Sequence, residues 1–256
     1  MQIAPKVLIR LVCCLACLPT LAAQHKTLKM AFGLGRPPFV YEEAGIWRGF
    51  ELDIMRTAMR ELGYEVDNHH LPNARLYIAL SDASFAAAVA VQPEPGDKNC
   101  YSKQSISEYV NVAISKSSRH ITLNRVHDLS KYSVAAWQKA HRNLGREFEA
   151  LYGPNAEGPH LEHYTELGDQ TAQVRQFWLN RFDVLLIDKT IFAWYRQQLR
   201  SSLPTSESVD IHPIFPGRAS YYVVFRDCRL RDRFDQVLAR MKSNGRYRAA
   251  IDSYLE

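Results

Sequence analysis

Residues 26–91 of this 256-residue chain begin KTLKMAFGLGRPPFV and end SFAAAVAV, and they alternate between strand and helix patterns. Residues 26–34 predict a strand, which Gly35-Arg36-Pro37-Pro38 breaks into a loop. Residues 50–62 carry apolar side chains at helical spacing, and the Gly63 that follows suits a helix C-terminus. The alternation continues through a strand over 64–71, a short helix over 73–80 and a buried strand over 85–91. This order is typical of a parallel sheet covered by helices.

A second alternation follows a strand over residues 109–115 and a polar connector over 116–124. Its predicted strands cover residues 132–137, 161–164 and 183–188, and its predicted helices cover 140–152, 171–180 and 191–199. Two more strands, over 209–215 and 221–225, and helices over 230–241 and 247–255 end the chain. The sequence therefore predicts two α/β units in tandem, whose strand-end loops line a shared crevice.

The first 23 residues have the layout of a secretory signal peptide. Lys6 and Arg10 precede an apolar run over residues 11–18, and small residues end the segment at positions 22–23. The run is too short for a transmembrane helix, which needs about 20 apolar residues. We therefore expect cleavage beside residue 23 and export to the periplasm, with a lipid anchor on Cys17 as the alternative.

Composition and charge exclude several classes of protein. The chain is 46% hydrophobic, which excludes a disordered protein and permits one large core or two modest ones. Without residues 1–23 it keeps 30 basic and 27 acidic side chains, so its surface is nearly balanced. Arg and Asp alternate over residues 226–233, which is typical of a solvated helix face. These features argue against a nucleic-acid partner.

Cys100 and Cys228 are the two cysteines that remain beyond the signal segment. An oxidising compartment favours their pairing, but the sequence does not set the distance between their Cα atoms, so a disulfide and two buried thiols both stay open. His160 and His163 are three residues apart, and no second pair at zinc spacing follows them. A nucleophile elbow is also absent from the sequence. We therefore predict no metal, no cofactor and no catalytic residue.

Short motifs along the chain resemble those of the family 3 extracellular solute-binding proteins, the polar-amino-acid-type receptors of ABC importers. The motifs are Pro37-Pro38-Phe39, Gly49-Phe50-Glu51-Leu52-Asp53, Glu61-Leu62-Gly63, FDVLLID at 182–188 and SNGRY at 243–247. They cover nearly the whole mature chain in order. The resemblance implies a type II periplasmic-binding-protein fold, with a ligand cleft between two α/β lobes that two crossing hinge strands join. Residues 24–115 plus 217–256 are expected to form lobe one, and residues 116–216 lobe two.

The resemblance also implies residues for the cleft. Asp188 matches the family's acidic residue that receives the ligand amine, and a helix N-cap is the alternative role for it. Family position places Phe39 and Tyr41 on the cleft wall, and Trp137 ends a lobe-two strand on the same side. Packing in the core is the alternative for these three aromatic residues. The family also places Cys100 and Cys228 in the same lobe.

The anchor for a ligand carboxylate departs from the family pattern. Family members usually carry an Arg in a Thr-Pro-Glu-Arg-like turn, which here reads Gln92-Pro93-Glu94-Pro95. The family's Gly-Thr after the first strand of lobe two is also missing, and Trp137-Gln138-Lys139-Ala140 stands there. Arg75 and Arg36 are the two candidates to supply the fork of donors, and we count Arg75 with the ligand-binding residues; a surface or inter-lobe ion pair is the alternative role for Arg75. Gln92 is counted with the ligand-binding residues.

Together these observations predict a monomeric periplasmic receptor without enzymatic activity. It captures a small polar ligand, an amino acid or a related solute, and delivers it to an ABC transporter permease. One alternative is an enzyme on the same fold, similar to cyclohexadienyl dehydratases, in which Glu166 acts as a general acid or base. Another alternative is a sensor or partner protein that takes no part in transport.

Overall fold

In the computed structural model, which describes residues 26–93, 96 and 98–255, ten of the described strands form one mixed sheet. The strands are β1 Lys26–Gly33, β2 Tyr41–Glu43, β3 Ile46–Arg48, β4 Tyr64–Leu71, β5 Ala87–Val91, β6 Cys100–Tyr101, β7 Ser107–Lys116, β8 Val134–Trp137, β9 Tyr164–Leu167, β10 Val184–Asp188, β11 Val209–His212 and β12 Arg218–Phe225. The helices are α1 Phe50–Glu61, α2 Asn73–Leu76, α3 Arg146–Tyr152, α4 Gln170–Trp178, α5 Lys189–Gln198, α6 Cys228–Ser243 and α7 Arg246–Leu255. The segment predicted to be a signal peptide and Pro95 lie outside the described residues.

The order of strands divides the sheet into two parallel halves. The order is β4-β1-β5-β12-β7-β10-β8-β9, with β6 paired to β12 and β11 to β7. Strands β4, β1 and β5 are parallel, and so are β10, β8 and β9. Between the halves, β12 and β7 run antiparallel to each other and to the flanking strands β5 and β10. These two strands link the two parallel halves, as the two-lobed fold requires.

Each half of the sheet has its own buried side chains because the central strands are apolar on both faces. Every residue of β5 and β10 is buried. Phe32, Leu52 and Phe234 are fully buried in the core around the first half. Phe148 and Leu186 are fully buried in a second core beside the other half. Burial on both faces is typical of parallel strands covered by helices.

The structure has most of the predicted elements, and two helices are shorter than expected. The helix predicted over residues 140–152 begins only at Arg146, because Gly145 has a positive φ of 93° and breaks the helical path. The helix predicted over 73–80 ends at Leu76. The hairpin of β2 and β3 was not predicted. No helix among the described residues is long and apolar enough to cross a bilayer.

The lobe boundaries remain a proposal. Lys116 is the last residue of β7, and residue 217 directly precedes β12. The proposed boundaries therefore coincide with the ends of the two crossing strands. We use the names lobe one and lobe two for the stretches defined above.

Candidate functional site

A narrow cavity lies where the two halves of the sheet meet, and we call it the cleft. Lobe one contributes Arg36, Tyr77 and Tyr109 to its lining, among others. Lobe two contributes Trp137, Asn143, Gln170 and Asp188. The cleft has a volume of about 30 Å³, which is room for about two water molecules. Ligand pockets usually measure roughly 300 to 1,000 Å³, so the cleft is closed in this structure.

Arg36 is the basic side chain of the cleft lining, and a tight loop directs it there. Its backbone N–H donates to the carbonyl of Val40 at 2.8 Å, and its carbonyl accepts from the N–H of Val40 at 2.9 Å. The guanidinium folds over Gly33, where a Cβ atom would overlap it. Glycine at position 33 therefore makes the room that the buried guanidinium needs.

The polar atoms of Arg36 are incompletely paired. Its Nη2 lies 3.6 Å from Oε2 of Glu51, which is too far for a hydrogen bond. Oε1 of Glu51 accepts instead from Ser107 Oγ at 2.5 Å and from the Tyr109 hydroxyl at 3.0 Å. Nε and Nη2 of Arg36 and Oε2 of Glu51 are buried without hydrogen-bond partners. Arg36, which lines the cleft, thus carries two buried donors without hydrogen-bond partners, and its planar guanidinium is the group that pairs best with a carboxylate.

The charge of Arg36 persists in spite of its burial. Desolvation lowers the pKa of Arg36, but attraction to Tyr109 and Glu51 outweighs this loss, so the pKa lies above its ordinary value. Burial raises the pKa of the Tyr109 and Tyr221 hydroxyls well above 10. These two phenols are therefore neutral at physiological pH and able to donate hydrogen bonds.

Asp188 serves as a helix cap and also lines the cleft. It ends β10, and its Oδ1 accepts from the N–H groups of Thr190 at 2.8 Å and Ile191 at 3.0 Å, at the start of α5. Its Oδ2 accepts from the N–H of Val110 in β7 at 2.7 Å. The side chain is almost fully buried, and burial raises its pKa to about 6 although the three backbone hydrogen bonds lower it. The capping role and a place in the cleft therefore coexist in one carboxylate.

Hydrogen bonds between the lobes close the cleft. The Tyr77 hydroxyl donates to Asn143 Oδ1 at 3.0 Å, and Asn143 Nδ2 donates to Gln92 Oε1 at 2.6 Å. On another side, the Tyr195 hydroxyl donates to the carbonyl of Gly35 at 3.2 Å. Gln92 therefore lies at the rim, bonded across the cleft, and is not part of the cleft lining.

The other predicted site residues are divided between the cleft and its surroundings. Trp137 is buried and lines the cleft. Phe39 packs behind the cleft, with its ring stacked on Tyr109 at 4.0 Å between centroids. Tyr41 packs against Trp194 at 5.3 Å, outside the cleft. The structure thus brings Trp137 into the lining but places Phe39 and Tyr41 beyond it.

Arg75 and Arg36 were the two candidates for the carboxylate anchor, and the structure distinguishes between their positions. Arg75 is exposed on α2 and does not line the cleft, whereas the lining includes Arg36. Asn73 and Leu76 of α2 and the following residue Tyr77 line the cleft instead. The structure therefore places the guanidinium of Arg36 in the cleft.

Several amide side chains of the lining were missed by the sequence analysis. Asn111 comes from β7, and Gln170 is the first residue of α4. Gln170 Oε1 is buried and has no hydrogen-bond partner. A signal for Gln170 was present in the sequence, since the preceding Asp169 is a good N-cap and accepts from the N–H of Thr171 at 2.8 Å. A residue at the start of such a helix faces the strand-end crevice.

Glu166, the acid of the enzymatic alternative, is not part of the cleft lining. Its Oε2 accepts from the N–H of Lys139 at 2.9 Å, and its Oε1 accepts from the Tyr164 hydroxyl at 3.0 Å. Nδ1 of His141 lies 3.9 Å from the same carboxylate. This carboxylate thus organises the loop after β8 and faces protein groups.

Two further features concern the cysteines and metals. Cys100 and Cys228 form a disulfide with their Cα atoms 5.2 Å apart, which joins β6 to the first residue of α6 across 128 residues of sequence. Within the described part of the chain, no group of three or more His, Cys, Asp or Glu side chains is arranged to hold a metal ion.

Comparisons with known proteins identify the family. Residues 28–256 match the model of the bacterial extracellular solute-binding proteins, family 3. No curated protein sequence matches the chain. Among solved structures, the chain is similar to the arginine-, lysine-, histidine-binding protein ArtJ of Geobacillus stearothermophilus, with a TM-score of 0.69, 16% identity, and coverage of 90% of this chain and 95% of that one.

Two other solved structures share the fold. A substrate-binding protein of an ABC uptake transporter from Streptococcus pneumoniae, with bound histidine, has a TM-score of 0.72 at 16% identity and covers 91% of this chain and 93% of its own. A histidine kinase sensor domain similar to periplasmic binding proteins has a TM-score of 0.73 at 13% identity, with coverage of 90% and 96%. The family match extends over the two-lobed fold and its cleft. The chain belongs to family 3 of the bacterial extracellular solute-binding proteins.

Proposed function

We propose that this protein is a periplasmic solute receptor, which closes on a small polar solute bearing a carboxylate and delivers it to the permease of an ABC importer. An amino acid or a related organic acid is the ligand class. The proposal rests above all on Arg36, a buried cation of the cleft lining that has two donors without hydrogen-bond partners.

The physical argument starts from the cost of burying unpaired polar groups. A buried donor without a partner loses its hydration, which costs about 1 to 3 kcal/mol and more for a charged group. A ligand carboxylate that pairs with the guanidinium of Arg36 when the lobes open recovers part of this energy through charge-assisted hydrogen bonds. The unpartnered Gln170 Oε1 and the carboxylate of Asp188 offer acceptors for an amine or hydroxyl on the same ligand.

The closed arrangement of the lobes supports a mechanism in which the ligand shifts the population from open to closed protein. The closed cleft of about 30 Å³ is smaller than an amino acid requires, so the lobes must separate before a ligand enters. A ligand that touches Arg36 in lobe one and Asp188 or Gln170 in lobe two makes its full set of contacts only when the lobes approach each other. Its differential affinity then favours the closed state.

A thermal-shift screen over amino acids, organic acids, polyamines and small peptides tests the binding step. A ligand at a hundred times its dissociation constant adds about 2.7 kcal/mol to the free energy of unfolding. Isothermal titration of the best ligand then compares Arg36→Lys with the matched control Arg75→Lys, since lysine keeps the charge and loses the planar fork. We expect Arg36→Lys to weaken binding by about tenfold or more and Arg75→Lys to leave it unchanged.

Two results would contradict the proposed ligand class. Equal affinity in wild type and Arg36→Lys, with both proteins folded by circular dichroism, would mean that the cleft does not recognise a carboxylate through Arg36. A ligand that carries no carboxylate would have the same meaning.

Delivery to a permease needs a separate test, because the same fold also occurs in a histidine kinase sensor domain. Uptake of the labelled ligand is measured in cells with and without the gene for this protein. Loss of uptake upon deletion supports the transport role. Intact uptake together with strong binding would favour a sensor role.

A further inference from the structure

A second cavity lies outside the cleft, and we call it the aromatic groove. Its volume is about 410 Å³, within the range of small-molecule sites. The hairpin of β2 and β3 contributes Tyr41, Glu42 and Trp47 to one wall, and α4 with its cap and α5 contribute Asp169, Trp194 and Tyr195 to the other. No part of the function proposed above requires this groove.

Aromatic rings form much of the lining of the groove. The Tyr41 ring lies 5.3 Å from Trp194, inclined by 58°, and the Trp194 ring meets Tyr195 edge-on at 5.0 Å. Trp47 stacks on His70 at 3.2 Å with nearly parallel planes, which fixes the orientation of its indole. Four aromatic residues, Tyr41, Trp47, Trp194 and Tyr195, therefore line one space, and the faces of aromatic rings attract cations.

The charges of the lining have one sign. Glu42 and Asp169 are both exposed and line the groove, and no Lys, Arg or His of the described residues does. The structure shows no ion pair for Glu42 within its described part, whereas the neighbouring Glu43 pairs with Arg48 at 3.2 Å. Oδ1 of Asp169 accepts from the backbone N–H of Thr171 at 2.8 Å. The groove is therefore negative as well as aromatic.

We propose that the aromatic groove binds a small organic cation of the alkylated or quaternary ammonium type. A cation over aromatic faces gains about 0.5 to 2 kcal/mol according to how far it is desolvated, and nearby carboxylates add attraction. A metal cation would need several oxygen ligands at short range, which two carboxylates on opposite walls of a 410 Å³ space do not provide. An anion would meet two like charges.

The same chain segments line the groove and the cleft, so a ligand in the groove affects the closure of the cleft. Gly35 and Pro37 line the groove while Arg36 between them lines the cleft. In the same way, Asp169 and Thr171 line the groove on either side of the cleft residue Gln170. A cation that contacts both walls of the groove favours the closed arrangement and thereby raises affinity in the cleft.

The test uses choline as the probe, with 3,3-dimethyl-1-butanol as its uncharged isostere, on the full mature protein. Saturation-transfer NMR titrations at constant ionic strength measure both dissociation constants. The double variant Glu42→Gln/Asp169→Asn removes both charges, and asparagine preserves the helix cap. The matched control is Glu157→Gln/Asp227→Asn, which has the same net charge as the double variant. It also alters an exposed N-cap aspartate, because Asp227 caps α6 by accepting from the N–H of Arg229 at 2.8 Å.

We expect choline to bind the wild-type protein saturably. The affinity of the wild type for the isostere, and the affinity of the double variant for choline, should each be weaker by about tenfold, whereas the control variant should bind choline within about twofold of wild type. Replacement of Trp194 by Leu should weaken choline binding without affecting the charges. Equal binding of choline and its isostere, or unchanged affinity in the double variant, would overturn the proposal. Loss of choline binding in Asp188→Asn would place the cation in the cleft and would also overturn it.

Discussion

Asp188→Asn should change how the stability of the protein depends on pH. Burial raises the pKa of Asp188 from 3.8 to about 6, so between these values the native state holds a proton that the unfolded chain has released. The free energy of unfolding therefore falls as the pH rises through this window, because the native state binds more protons than the unfolded state. The rise of the pKa from 3.8 to about 6 corresponds to a decrease in the free energy of unfolding on the order of 3 kcal/mol, and this decrease is complete above pH 6.

The variant removes this titration and keeps the helix cap, since asparagine caps about as well as aspartate. His70 must be separated from the effect, because burial lowers its pKa to about 4. The native state then binds fewer protons at His70 than the unfolded chain, and stability rises with pH from about 4 to its ordinary value of 6.5. His70 is present in both proteins, so its contribution cancels when their stabilities are subtracted.

Urea unfolding of both proteins at intervals between pH 4 and 7 measures the difference. We expect the stability of wild type minus that of Asp188→Asn to fall by about 3 kcal/mol over this range, most steeply near pH 5. A constant offset is also expected, because an asparagine amide cannot accept from every backbone N–H that the carboxylate serves. A difference that stays flat within about 0.5 kcal/mol, or that rises with pH, would refute this account of the buried carboxylate.

Three other predictions concern the room for Arg36, the disulfide and the contacts between lobes. In Gly33→Ala the new methyl group displaces the guanidinium of Arg36. Isothermal titration should therefore show an affinity for the cleft ligand that is reduced by about tenfold. Unchanged affinity would mean that Arg36 does not need the space above Gly33 to bind the ligand. Thiol titration of the denatured, unreduced protein should find Cys100 and Cys228 unreactive, and reduction should lower stability by up to about 4 to 5 kcal/mol; two free thiols would exclude the bond. Asn143→Ala removes two hydrogen bonds between the lobes, so X-ray scattering should report a larger radius of gyration, and an identical profile would contradict the role of these bonds in closure.

Much of the fold could be predicted because its strands and helices carry clear hydrophobic patterns. The pattern over residues 50–62 corresponds to α1, and the apolar run over 183–188 corresponds to β10. The hairpin of β2 and β3 could not be predicted in this way, since its strands are three residues long and have little buried surface. It is held in part by Trp47 on His70, a contact between distant segments that local patterns do not encode.

The candidate site could be predicted only where strand ends determine it. Asp188 and Trp137 each end a strand of lobe two, and both line the cleft. The sequence analysis counted Arg75, and not Arg36, with the ligand-binding residues, because the difference between the two lies in three dimensions. Arg36 reaches the cleft over the bare backbone of Gly33, whereas Arg75 lies on the exposed side of α2.

The place of β12 in the sheet sets the order in which the protein can be completed. This strand is the last of the described strands, yet it lies between β5 and β7 and pairs with both. A nascent or truncated chain that stops before Arg218 leaves these two strands with open edges, which are templates for pairing with other chains. The first lobe therefore cannot finish folding until the final 40 or so residues have been synthesised. A frameshift or nonsense mutation that removes β12 should for this reason be as damaging as an early one.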